Sequence, residues 1–155
     1  MYPEIVAVYI DELNILKNAG VKNFLLINIP PLDKSPNAVT QGSHLKEYAD
    51  AIRQWNSLLS NALSSFSSNC IDCSVFYYDV NAFMNNLIKP DSAAQVGIKE
   101  TKPVYCEAYS TLANQPNAVS SDCAYGVREY YWLNIVHPTW PVMNQIAQDI
   151  VKFIK

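Results

Sequence analysis

Apolar positions recur along this chain with two different periods, and the periods predict its elements. Ile5, Tyr9, Leu13 and Leu16 step at helical spacing, and Gly20 stands where a helix C-cap belongs. The FLLINI run from Phe24 to Ile29 is too short for a helix, apolar on both faces, and stopped by Pro30-Pro31. It predicts a buried parallel strand near residues 23–29. Residues 33–43, rich in Asp, Ser, Pro, Asn and Gly, predict a loop. From His44 onward Leu45, Tyr48, Ile52, Trp55, Leu59, Leu63 and Phe66 step by three or four, which predicts a long amphipathic helix. The Ser/Asn-rich stretch at 64–69 ends it.

SVFYYDV, residues 74–80, is aromatic and β-branched and predicts a second strand. Asn81 is placed to cap the helix that follows. Residues 89–128 carry scattered Pro, Asn and Ser with two of the cysteines, and predict a long loop. Val142, Ile146, Ile150 and Ile154 share one face of a C-terminal helix starting at Pro141. The order of helix, strand, helix, strand, helix, loop and helix is an α/β pattern with crossover connections. Two strands leave an unpaired edge on each and too little sheet beneath the helices. The expectation is therefore one incomplete α/β domain over residues 1–155.

Composition narrows this further. Half the residues are apolar and 16% are charged, which is a globular balance rather than a disordered one. A net charge of -3 gives no reason to expect nucleic acid or an anionic membrane as partner. No apolar run approaches the roughly 20 residues of a membrane helix. The start, MYPEIVAVYIDEL, lacks the basic region and cleavage site of a signal peptide. Four cysteines, Cys70 with Cys73 and Cys106 with Cys123, fit disulfides in a loop-rich chain of secreted ancestry. Their connectivity stays open among three pairings. Cys-x-x-Cys as half a zinc site is the alternative, but no second such pair exists, and His44 and His137 have no ligand spacing to it. No metal or cofactor is expected.

The chemistry concentrates in YYWLNIVHPTWP, residues 130–141. A His followed by Pro just before a helix suggests the general base of a hydrolase. The bland alternative for His137 is a loop residue held by Pro138 and packed near Trp140. Three stretches together, YIDELNILKNAGVKNFLLINIPPLDKSP, FYYDVNAFMNNLI and YYWLNIVHPTWPVMNQIAQDIV, resemble in order and spacing the C-terminal half of GDSL-type esterases, the SGNH hydrolases, among them fungal acetylesterases and plant GDSL lipases. The resemblance covers essentially the whole chain.

That resemblance implies a partial flavodoxin-like, three-layer fold whose N-terminal strands are missing. It implies hydrolysis of acyl esters, acetyl esters foremost, of carbohydrate or lipid by a Ser-His mechanism, in a family that is secreted. In such enzymes a Ser nucleophile in a Gly-Asp-Ser turn, a Gly and an Asn form the nucleophile and oxyanion blocks. The resemblance places Met1 downstream of all three. His137 falls at the base, and Asn134 at the carboxylate three residues before it. An Asn keeps an acceptor for the imidazole N–H but loses the charge, and can also turn its NH₂ toward the ring. Some relatives manage with a backbone carbonyl as the orienter; as a simple loop residue, Asn134 would have no such role.

No other serine replaces the missing block convincingly. Gly42-Ser43 precedes a helix, but thirteen residues separate the strand end at Ile29 from Gly42, whereas a nucleophile elbow is a tight strand-to-helix turn. Ser43 is expected to be an N-cap, and His44 a solvated first-turn residue. Cys106 or Cys123 as a thiol nucleophile would be inert if oxidised. Trp132 and Trp140 beside His137 suggest either a sugar-contact surface or core packing around the last helix. Two functional expectations follow. The chain is a GDSL ester hydrolase fragment, inactive alone, or it is a non-catalytic module that forms a homodimer or complements a separate N-terminal half.

Overall fold

The computed structural model describes residues 2–40, 42–112 and 115–155. Met1, at which the resemblance places the start of the matching half, lies outside them. So do Gln41, which precedes the Gly42-Ser43 turn, and residues 113 and 114 of the long loop.

Among the described residues, two parallel strands form the sheet. β1 (Asn23–Ile27) pairs with β2 (Ser74–Tyr78) in the register Asn23↔Ser74 through Ile27↔Tyr78. The intervening α3 (Leu45–Ser68) makes the crossover that parallel strands require. α1 (Tyr2–Asn18) precedes β1, and Gly20, at φ 99°, supplies the left-handed residue that closes its end. Phe24 and Leu26 pack with Leu13 of α1 and Leu59, Leu63 and Phe66 of α3. The register sets Val75 and Tyr77 on that same face.

On the opposite face of β2, Phe76 and Tyr78 make edge contacts with Phe153 of α6 (Trp140–Phe153). A second core joins Tyr78 to Met84 of α4 (Val80–Leu87), Ala93 of α5 (Pro90–Gln95), Tyr131, Trp132, Val142 and Ile146. A two-stranded parallel sheet with flanking helices is a partial flavodoxin-like fold. Among the described residues no helix is long and apolar enough to cross a membrane.

Several expectations change. β1 is covered on one face only: Leu25 and Ile27 are 43% and 45% exposed, because α6 lies over β2 rather than β1. α1 buries Val6 and Leu13, while Ile5, Tyr9 and Leu16 face solvent. The helix after β2 begins at Val80, and its cap is Asp79, whose carboxylate accepts from the Ala82 N–H; Asn81 lies inside the first turn. The 33–43 segment contains α2 (Pro36–Thr40), and α5 interrupts the long loop. Ser43 belongs to a 3-10 turn, Gly42–His44, and the residue before α3 is His44, without a side-chain cap bond.

Candidate functional site

The segment that carries His137 is a small backbone ladder set on two buried aromatics. The Tyr131 N–H donates to Glu100 O at 2.9 Å, and the Thr139 N–H donates to Tyr131 O at 2.9 Å. The Leu133 N–H donates to His137 O at 2.8 Å and closes residues 133–137 into a tight loop. The buried Thr139 hydroxyl donates to Tyr130 O at 2.6 Å. Beneath the loop, the Tyr131 hydroxyl donates to Met84 O at 3.1 Å and ties it to α4. Burial pushes the Tyr131 phenol well above the ordinary tyrosine range. Pro138 and Pro141 restrict the chain on either side of Thr139, which leads into α6.

Within the loop, Asn134 and His137 come together. Asn134 Oδ1 lies 3.1 Å from the Val136 nitrogen, 2.9 Å from the His137 backbone nitrogen and 3.0 Å from His137 Nδ1. His137 is exposed, and its Nδ1 is the ring nitrogen that meets Asn134. An imidazole oriented through one nitrogen and open at the other is the arrangement a general base needs. The loop is also tied to α2, whose Asn37 N–H donates to Ile135 O at 2.8 Å. Val39 of α2 lines a concavity of about 740 Å³, together with Ser43, Leu45, Ile88, Thr101 and Pro103.

The other predicted residues divide clearly. Trp132 is 1% exposed in the second core, so its ring faces are taken by protein and it is no sugar-stacking surface. Trp140 is 50% exposed, and the Arg128 guanidinium lies 4.9 Å from its ring centroid. Cys106 is bridged to Cys123 and Cys70 to Cys73, which leaves no thiol to serve His137. Both sulfurs of the Cys-x-x-Cys pair are therefore occupied, although Asp72 lies beside them.

One polar network was not anticipated. At the carboxyl end of the strands, Asn28 Nδ2 donates to Asp79 Oδ1 at 2.7 Å, and Asn28 Oδ1 accepts from the Asn81 N–H at 3.0 Å. Asn56 of α3 makes a reciprocal pair with the backbone of Ile29, 2.9 Å in each direction. These side chains satisfy the backbone where the strands stop and hold the following turns together. Polar residues among apolar ones at a strand end were the available signal.

Residues 1–119 match the family model of the GDSL-like lipase/acylhydrolases. A GDSL esterase/lipase of Arabidopsis thaliana is 25% identical over 156 residues, an alignment covering 94% of this chain and 41% of the relative. An acetylesterase of Thermothelomyces thermophilus is 30% identical over 66 residues, covering 41% of this chain and 22% of that protein. The chain thus spans less than half the length of these curated relatives. The family match stops before Asn134 and His137.

Proposed function

Because this chain belongs to the GDSL-like lipase/acylhydrolase family, we propose that it supplies the base-bearing C-terminal portion of an ester hydrolase. On this reading the serine nucleophile and the oxyanion donors come from residues outside these 155. His137 Nε2 takes the proton of the serine hydroxyl as its oxygen attacks the acyl carbon, and then delivers that proton to the departing alkoxide. A water molecule attacks the acyl-enzyme in the second half, again giving its proton to Nε2, and the serine is regenerated with release of the acid. The reaction needs no metal. The substrate class is a small acyl ester, acetyl foremost, of carbohydrate or lipid. The name of the acetylesterase relative supports that choice, as does the open face of Trp140 three residues from the base.

The observation that carries this reading is the contact of an exposed His137 with Asn134 at 3.0 Å, in a loop braced from below by Tyr131. Without oxyanion donors an acyl-transfer site lacks what is usually its largest source of transition-state stabilisation. The chain alone is therefore inactive, and the two disulfides suit work in an oxidising, extracellular compartment. The test is hydrolysis of p-nitrophenyl acetate by the chain and by His137→Ala, each alone and each with a polypeptide bearing the Gly-Asp-Ser block. Turnover only in the completed protein, lost with His137→Ala, is expected. His137-dependent turnover by the chain alone would sink the inactive-portion reading, and Ser43 would be the first residue to replace.

The exposed pair Leu25 and Ile27 favours a second reading, a non-catalytic module that dimerises or accepts a separate N-terminal half. Apolar side chains on an uncovered sheet face are what an assembly partner would bury.

A further inference from the structure

We infer that Asn134 is a positioning residue that holds neutral His137 in the tautomer protonated on Nδ1, leaving the lone pair of Nε2 outward. The inference rests on the ester-hydrolase reading for its use, but not for its test. It turns on which end of the Asn134 amide meets the ring, a choice that heavy-atom positions alone do not make. Here the backbone makes it. The N–H groups of Val136 and His137 both point at the amide atom that also meets Nδ1, at 3.1 Å and 2.9 Å. Among the described residues neither N–H has another partner, so that atom is an acceptor, the carbonyl oxygen. With the NH₂ in its place, two backbone donors would face a third donor and both of their hydrogen bonds to this side chain would be lost.

Once the oxygen is fixed, the neutral ring has one consistent tautomer. Nδ1, 3.0 Å from that oxygen, must carry the proton, and Nε2 must carry the lone pair. This answers the objection to an amide at this position. In Ser-His-Asp triads the Asp-to-Asn change costs about 10⁴ in turnover, because the amide supports the wrong tautomer. For an Asn whose oxygen already accepts from two backbone N–H groups, turning over to do that would forfeit both bonds. What the amide gives up is the negative charge. Its oxygen is also shared among three donors, one more than a carbonyl accepts well, whereas a carboxylate has acceptor sites for all of them.

The test reads the ring directly, by imidazole ¹⁵N spectroscopy of the full chain with neutral histidine, using His44→Gln to remove the only other imidazole. Two well-separated ring signals are expected, the protonated one being Nδ1. Asn134→Asp, which keeps the acceptor, should retain that pattern, and Asn134→Ala should lose it. If Asn134→Ala does not fold, the parent chain and Asn134→Asp still decide the matter. Protonation at Nε2 in the parent chain overturns the inference whatever the activity. Nδ1 protonation without His137-dependent turnover in the completed protein overturns the ester-hydrolase reading and leaves the tautomer assignment standing.

Discussion

The Tyr78 hydroxyl donates to Asp149 Oδ2 at 2.9 Å and so joins the last residue of β2 to the middle of α6. Burial first, and the neighbouring Asp149 carboxylate second, push the Tyr78 phenol far above its ordinary 10.0. In the unfolded chain the phenol ionises near that ordinary value, while in the fold it stays protonated. The unfolded state therefore binds fewer protons once the pH passes 10, and stability falls with rising pH. The contribution is fully present below the unfolded value and is lost as the pH climbs from there toward the folded one. Tyr78→Phe should cost about 0.5–1.5 kcal/mol at neutral pH through the lost hydrogen bond. It should also flatten the alkaline decline, which denaturant midpoints measured from pH 7 to 11 would show. An equal alkaline slope in both proteins would contradict this account.

Trp132 and Trp140 sit eight residues apart and should respond very differently to truncation. Trp132 is enclosed in the second core, so Trp132→Ala should cost about 3–5 kcal/mol and loosen the loop that carries His137. Trp140 has half its surface open and one stacked guanidinium, so Trp140→Ala should cost no more than about 1 kcal/mol, the range for an exposed cation–π pair. Urea midpoints of the two variants separate these values. If Trp140 also contacts substrate, its loss should raise KM in the completed enzyme while the midpoint barely moves.

The Cys106–Cys123 bridge spans a sequence separation of 17 and packs against the third small core of Tyr109, Val127 and Tyr130. In the chain-entropy model such a loop contributes about 3 kcal/mol, against about 2 kcal/mol for the short Cys70–Cys73 link. The paired Cys106→Ser and Cys123→Ser variant should therefore lose more stability than the paired Cys70→Ser and Cys73→Ser variant. Amide exchange should quicken at Val127 and Tyr130, immediately before the His137 loop. Equal losses in the two variants would assign the effect to local packing rather than loop closure.

What could be read from the chain alone depended on how one-sided each segment is. α3 carries a narrow apolar stripe, so the spacing alone marks Ile52, Leu59, Leu63 and Phe66 as core. α1 holds Ile5, Val6, Val8, Tyr9, Ile10, Leu13, Ile15 and Leu16, apolar almost all round, and periodicity alone does not choose a face. The β-branched Val80 extends the predicted strand to residue 80, yet β2 ends at Tyr78 because the Asp79 side chain captures the Ala82 N–H and starts the helix there. At the site, His137 was legible from its Pro and its place before a helix. The local fold of Asn134 was not read, although Asn side chains commonly bond the backbone two residues on. The Asn37–Ile135 link joins residues far apart in sequence, and no short-range pattern encodes it.

β1 has an open edge as well as an open face. The Lys22 carbonyl accepts from Ser74 and the Asn28 N–H donates to Tyr78 O, so by alternation the backbone groups of Asn23, Leu25 and Ile27 point to the edge away from β2. Among the described residues no strand pairs there. A partner that adds a strand would satisfy those groups and cover Leu25 and Ile27 in one step. Leu25→Lys with Ile27→Lys removes exposed apolar surface from the chain by itself, so its midpoint should stay within about 0.5 kcal/mol of the parent. Assembly should suffer instead. If the chain pairs with itself, sedimentation velocity over a concentration series should show a dimer in the parent and a monomer in the variant. If the face belongs to an N-terminal half, both stay monomeric alone, and only the parent gains turnover when that half is added. A variant that still dimerises or still gains turnover would show that the β1 face is not where the partner binds.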